Sequence, residues 1–178
     1  MRYDLERHHR RSIRLKGYDY TQAGAYFVTI VTQGRECLFG EIVEGEVRLN
    51  PLGEIVGESW RWLGMQYDYV ELDEWRIMPN HLHGIIVIID DGRGGSRTAP
   101  TVKRKPIGRL VGAFKTVSTK RINEHRGTPG VRVWQRNYYE HIIRNEDDLE
   151  AIREYIACNP MRWDLDRENV RATGIDPS

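Results

Sequence analysis

Residues 70–89 read VELDEWRIMPNHLHGIIVII, and this stretch decides the fold. Its first nine residues alternate apolar and polar side chains, the pattern of a strand with two unlike faces. Pro79-Asn80 is a turn signal. The run from His81 onward becomes almost wholly apolar, as expected of a strand covered on both faces. Two such runs joined by a tight turn predict an antiparallel hairpin at the centre of a sheet. The apolar part, GIIVII at 84–89, is far shorter than the ~20 residues that a membrane-crossing helix needs.

Working outward, residues 25–33 (AYFVTIVTQ) are β-branched and aromatic and read as a central strand. Residues 41–50 hold a Glu44-Gly45 turn between two short strands. Asn50-Pro51 is an N-cap followed by proline at the first helical position. Leu52, Ile55, Val56, Trp60 and Leu63 then recur at helical spacing, so 51–66 reads as an amphipathic helix. On the other side of the hairpin, 90–105 is rich in Gly, Ser, Thr and Arg and reads as a loop. Residues 106–126 form a basic amphipathic helix with Ile107, Leu110, Val111, Phe114, Val117 and Ile122 near one face. Residues 131–143 read as a fourth long strand. Asn145 caps a helix over about 146–158, with Glu146, Asp147 and Asp148 where the helix dipole favours acids. Asn159-Pro160 ends it. This order predicts an α+β domain, an antiparallel sheet carrying its helices on one face. The expected organisation is a basic arm over 1–17, one domain over 18–163 and a polar tail over 164–178.

The chain has 178 residues, 39% of them hydrophobic and 30% charged, which excludes a disordered chain and a membrane-embedded one. The N-terminus, MRYDLERHHRR, has no apolar core of a secretory signal. Cys37 and Cys158 are too few for a disulfide framework, and a reducing cytoplasm fits. The net charge of +1 conceals strong blocks. Residues 1–16 carry six basic and two acidic residues, net +4, and residues 93–126 carry ten and one, net +9. Residues 41–76 and 140–168 are net −6 (three basic, nine acidic) and −5 (four and nine). Basic blocks with aromatics nearby (Tyr18, Tyr20, Phe114, Trp134, Tyr138, Tyr139) suit a nucleic acid with unpaired bases. A solvated helix face is the plainer reading of the same blocks.

Two patterns bear chemistry. His81 and His83 are two apart on a strand, so both imidazoles face one side and make half of a metal site. Tyr155 and Asn159 are four apart on a helix and share a face. A tyrosine can be a covalent nucleophile when a cation stabilises its phenolate, and Asn159 can offer an oxygen ligand beside it. Each pattern alone also suits ordinary packing and capping.

Together, Met78-Pro-Asn-His-Leu-His-Gly84, Val133-Trp-Gln-Arg-Asn-Tyr-Tyr-Glu-His-Ile-Ile-Arg144 and Tyr155-Ile-Ala-Cys-Asn-Pro160 resemble the REP-associated tyrosine transposases. These belong to the single-tyrosine branch of the HUH endonucleases, related to the IS200-like group. Arg11-Ser-Ile-Arg-Leu-Lys-Gly-Tyr-Asp-Tyr20 and Tyr26-Phe-Val-Thr29 resemble the usual start of that family. The resemblance implies a ferredoxin-like domain that cleaves and rejoins single-stranded DNA with Mg²⁺ or Mn²⁺. It implies His81 and His83 as metal ligands, Tyr155 as nucleophile, and Asn159 as a third ligand where relatives often carry glutamine. Tyr138 or Tyr139 is the competing nucleophile, and the role of His141 stays open.

The implied substrate is a hairpin-forming, repetitive extragenic palindrome-like DNA, in a cytoplasmic, nucleoid-associated setting, with the protein a monomer or a homodimer. The expected DNA contacts are Arg10, Arg11, Arg14 and Lys16 in the arm, and Arg104, Lys105, Arg109, Lys115, Lys120 and Arg121 in and before the basic helix. A non-catalytic single-stranded nucleic-acid module is the main alternative, and a metal-dependent phosphoesterase is another.

Overall fold

The strand over residues 25–33 becomes the axis of the molecule. In the computed structural model, which describes residues 17–90 and 104–169, β1 spans Gly24–Val31. It is flanked on both sides. The hairpin read from residues 70–89 is present as β4 (Val70–Met78) and β5 (His81–Ile88), and β5 pairs antiparallel with β1, from Gly24 opposite Ile88 to Val31 opposite His81. β6 (Tyr139–Ile143) pairs antiparallel on the other side of β1, with Thr29 opposite Tyr139. The sheet order is β4-β5-β1-β6, so of the hairpin expected at the centre only β5 is central and β4 forms an edge. With one helix between β1 and β4 and another between β5 and β6, this is the α+β, ferredoxin-like arrangement that the element order predicts. The short hairpin of β2 (Gly40–Val43) and β3 (Glu46–Leu49) stands apart, turning at Glu44 and Gly45, which both have positive φ as a two-residue hairpin turn requires.

The helices form where local chemistry starts and stops them. Asn50 accepts from the N–H groups of Leu52 (2.9 Å) and Gly53 (3.1 Å), and Pro51 opens α1 (Pro51–Gln66). α2 (Ile107–Arg126) ends at Gly127 in the left-handed conformation. α3 (Glu146–Cys158) starts where Asn145 accepts from the Asp148 N–H at 2.9 Å.

Two further sequence expectations change. The helices do not share one face. α1 and α2 cover the face carrying Tyr26, Val28, Ile30, Leu82 and Ile86, with Trp60 and Phe114 meeting edge to face. α3 packs Ile152 and Ile156 against Phe27 and Ile85 on the opposite face. Alternation along β1 and β5 shows that both faces are buried, but it carries no information about which helix covers which.

The second change concerns residues 131–143, which are not one long strand. Only Tyr139–Ile143 joins the sheet, while Trp134 makes a single bridge with Thr32. Between them the carbonyls of Gln135, Arg136 and Asn137 turn to the Lys115 ammonium, at 2.8, 3.3 and 3.0 Å. An ammonium takes the place of a neighbouring strand. Phe114 and Trp134, aromatics that suited base stacking, are buried in the core. No helix among the described residues is long and apolar enough to cross a membrane.

Candidate active site

The site grows from the Pro79-Asn80 turn. Asn80 is fully buried, and its amide nitrogen donates to the carbonyls of Arg35 and Glu168. Those two acceptors fix which end of the amide is which. Its oxygen therefore faces His81, whose Nδ1 lies 2.8 Å away and must carry the proton. The consequence is chemical. His81 presents a bare Nε2 lone pair, the tautomer that a metal ligand needs. Burial pushes the His81 imidazolium down to about 3, only partly offset by the side chain of Asn159, so the ring is neutral at physiological pH.

His83 shares the face, as strand spacing requires. Its Nε2 is 2.9 Å from that of His81, and its Nδ1 is 2.8 Å from the Thr29 hydroxyl. A hydroxyl can donate or accept, so Thr29 suits either His83 tautomer. Phe27 stacks beside the ring at 5.6 Å. Arg76 stands directly across from His83 on β4, and its Nε is buried without a hydrogen-bond partner.

α3 brings Tyr155 to the same place. Its hydroxyl is 3.5 Å from His83 Nε2, and its ring meets those of His83 and Phe27 at 5.2 and 6.1 Å. Three contacts besides the apolar packing hold this helix. His141 Nε2 lies 2.9 Å from Asp148 at its start, Arg153 grips Asp73 with two nitrogens at 2.8 and 2.7 Å, and Asn159 reaches His81 at its end. Asp73 lies in the β4 irregularity between Leu72 and Trp75, where the register with β5 shifts. Burial pushes the Tyr155 phenol above its usual value, the negative charges of Asp166 and Glu168 and the neighbouring Tyr139 add to this, and Asn159 opposes it. The phenol is thus protonated until positive charge arrives.

Of the competing tyrosines, Tyr138 gives its hydroxyl to Glu140 at 2.6 Å, and Tyr139 lays its ring against Phe27.

Asp166 is the participant that sequence reading misses, because it falls in the expected polar tail. That tail folds back: Pro160–Leu165 is a 3-10 helix, and Asp166 Oδ2 lies 3.7 Å from His81 Nε2. Atoms of His81, His83 and Asp166 lie within 4.8 Å of one another. Asp166 Oδ2 and Asn159 Oδ1 are both buried with no hydrogen-bond donor. Lone pairs that converge in a buried place without donors suit a cation. The residues present therefore fit a divalent ion of the kind the sequence resemblance implies, with nitrogen and oxygen donors together.

The expected DNA contacts lie elsewhere. Arg10, Arg11, Arg14 and Lys16 fall outside the described residues. Arg104 pairs with Asp90 at 2.6 Å, and Lys105 sits over the Tyr67 ring at 4.9 Å. Lys115 is turned inward to its three carbonyls, and Arg121 reaches toward Ser59 on α1. Arg109 and Lys120 are exposed. Arg109, Lys115, Lys120 and Arg121 belong to α2, which covers the sheet face opposite Tyr155. A groove of about 1040 Å³ runs between the second half of α2 and residues 127–136, and adds Arg132 and Arg136 to Lys120.

No family model matches the chain. An uncharacterized protein of Haemophilus influenzae is 42% identical over 175 residues, covering 93% of this chain and 96% of that one. A second protein of that organism, whose name assigns it provisionally to the REP-associated tyrosine transposases, is 24% identical over 144 residues, covering 81% of this chain and 74% of that one. Among solved structures, a REP-associated tyrosine transposase bound to a REP hairpin is 19% identical and superposes with a TM-score of 0.57, covering 82% of this chain and 72% of that one. The chain belongs to the family of the first Haemophilus influenzae protein, and its resemblance to the REP-associated tyrosine transposases, first carried by the motifs around His81, Tyr138 and Tyr155, extends to the fold.

Proposed function

We propose that the protein is a transposase-type, single-strand DNA endonuclease and strand transferase that works through a 5′-phosphotyrosine on Tyr155. The likeness to REP-associated tyrosine transposases supports a transposase role. One observation carries the catalytic reading: a phenol hydroxyl 3.5 Å from His83 Nε2, itself 2.9 Å from His81 Nε2. A buried packing tyrosine has no need of two imidazoles aimed at one point beside undonated oxygens.

In this reading His81 and His83, with Asn159 beside them, hold Mg²⁺ or Mn²⁺. Such an ion supplies Lewis-acid polarisation of the scissile phosphate, and two imidazoles favour Mn²⁺ over Mg²⁺. The rest is done by the chain. Asn80 and Thr29 orient the imidazoles. Phe27 packs edge to face against the phenol ring, and α3 carries the hydroxyl to His83. Tyr155 Oη loses its proton and attacks phosphorus in line, the Oη–P bond forms, and the P–O3′ bond breaks. The 3′-oxygen takes a proton and leaves as a hydroxyl. A phosphodiester is exchanged for a phosphotyrosine ester, so attack by another 3′-hydroxyl reverses the step without ATP.

The substrate in this reading is a hairpin-forming, repetitive extragenic palindrome-like DNA, met in the cytoplasm at the nucleoid. Its backbone is gripped by Arg10, Arg11, Arg14 and Lys16, by exposed cations of α2 such as Arg109 and Lys120, and by Arg104 and Lys105 before it.

Hairpin oligonucleotides from repeats flanking the gene, incubated with Mn²⁺, should give a protein–DNA adduct that survives denaturing electrophoresis. Tyr155→Phe should bind the same DNA and give none. Binding without any adduct from the wild-type protein would instead identify a non-catalytic single-strand module.

A further inference from the structure

We propose that Asp166, delivered by the turn after α3, is the anionic protein ligand that completes a divalent-cation site with His81 and His83. The proposal rests on the metal-dependent reading above and adds a residue to it.

The local sequence explains why Asp166 arrives with one oxygen to spare. Pro160 ends α3 and starts the 3-10 helix Pro160–Leu165, whose last turn closes through the Asp166 N–H to Trp163 O at 3.0 Å. Asp166 Oδ1 accepts from the Glu168 N–H at 2.8 Å, and the Asp166 carbonyl accepts from the Asn169 N–H at 3.0 Å. One carboxylate oxygen thus serves the turn. The other, Oδ2, is directed at His81, on a side chain only 5% exposed, and has no donor.

The facing atom removes the simplest alternative. Asn80 holds the His81 proton on Nδ1, so the nitrogen 3.7 Å from Asp166 Oδ2 carries a lone pair and not a hydrogen. Two acceptors facing each other in a buried place repel unless a positive charge lies near both. The 2.9 and 3.7 Å separations compare with about 3 Å between adjacent ligands of an octahedral ion bound at about 2.1 Å.

The position of Asp166 is also built in. Asn80 holds His81 with its oxygen and the Glu168 carbonyl with its nitrogen, so one side chain sets a histidine and the turn that carries the carboxylate. Arg35 grips Glu168 Oε2 at 2.8 Å, Asn169 ties back to Trp163 O at 2.9 Å, and Trp163 lies against the His81 ring at 6.1 Å.

The test is a titration of the DNA-free full-length protein with Mn²⁺, read by calorimetry and by the loss of the free-ion electron paramagnetic resonance signal, together with melting temperatures. Asp166→Asn should weaken Mn²⁺ at least tenfold, and Asp166→Glu should retain more affinity than Asp166→Asn. Without metal, Asp166→Asn should melt no lower than wild type, because a carboxylate without a donor has been removed. With saturating Mn²⁺ the order should reverse. Equal Mn²⁺ affinity in wild type, Asp166→Asn and Asp166→Glu, alongside a loss in His83→Ala, would overturn the Asp166 assignment and leave the histidine pair standing. A wild-type protein that takes up no Mn²⁺ would overturn both.

Discussion

The Tyr155 hydroxyl and the His83 Nε2 lie 3.5 Å apart although 72 residues separate them in sequence, and both belong to one chain. The contact exists because α3 lies on its own sheet, anchored by Arg153 to Asp73 and by Asp148 to His141. In the proposed reaction, a helix fastened in this way would complete the site in cis. Mixing Tyr155→Phe with His83→Ala protein should therefore yield no covalent DNA adduct. Adduct recovery in the mixture, measured on a denaturing gel, would mean that two chains exchange the tyrosine helix.

Arg76 gives the second prediction. It is the cross-strand neighbour of His83, so both side chains leave the same face of the sheet, and its buried Nε lacks a partner. In the proposed reaction, a guanidinium on that face would lie on the side of the sheet where phosphate charge builds up during attack by Tyr155. Arg76→Gln should lower the single-turnover cleavage rate by about 10²-fold, the lower end of what removing one preorganised donor costs. The dissociation constant for uncut hairpin DNA should change far less. Equal losses in binding and rate would make Arg76 a simple DNA clamp.

Alkaline stability should show two opposed limbs. Burial lowers the Lys115 ammonium to about 8, below its usual 10.5. The unfolded chain then holds that proton more firmly between these values, so stability rises with pH across them. Burial raises the phenols of Tyr26 and Tyr155 above the usual 10. Above pH 10 the unfolded chain therefore loses protons that the folded one keeps, and stability falls. Urea midpoints from pH 7.5 to 11 should rise and then decline. Lys115→Met should flatten the rise, and should also lower stability by about 1–3 kcal/mol by stranding the Gln135, Arg136 and Asn137 carbonyls.

Much of this architecture is legible from local chemistry. Asn50 with Pro51 marks the start of α1, and the strands on either side of Pro79-Asn80 follow from the alternation over Val70–Met78 and the apolar run after His81. The pairing of Tyr155 with Asn159 follows from helical periodicity, and that of His81 with His83 from strand periodicity. What stays hidden depends on partners far away in sequence. Nothing near Lys115 announces that its charge will cap a loop some 20 residues on. Nothing near Asp166 announces a contact with His81, because it depends on the Asn80–Glu168 bond across 88 residues. A polar segment after a helix-ending proline reads as a tail whether or not it folds back.

Gly84 carries the last prediction. It follows His83 directly on β5, and a Cβ built there would lie 2.5 Å from Trp60 Cζ2 and 3.1 Å from Cε2. Trp60 is fully buried and wedged against Phe114, so the ring has little room to withdraw. Gly84→Ala should thus force either the indole or the histidine strand to move. Overpacking of this kind costs about 1–3 kcal/mol. For a chain of this size that corresponds to about 2–4 °C in melting temperature per kcal/mol. Trp60→Phe shortens the ring at the clash and removes an indole N–H that has no partner, so Gly84→Ala in that background should cost less than it does in the wild type. A double-mutant cycle read by urea unfolding measures the difference. Strict additivity of the two changes would show that the close approach of Trp60 to the sheet is not what requires glycine beside His83.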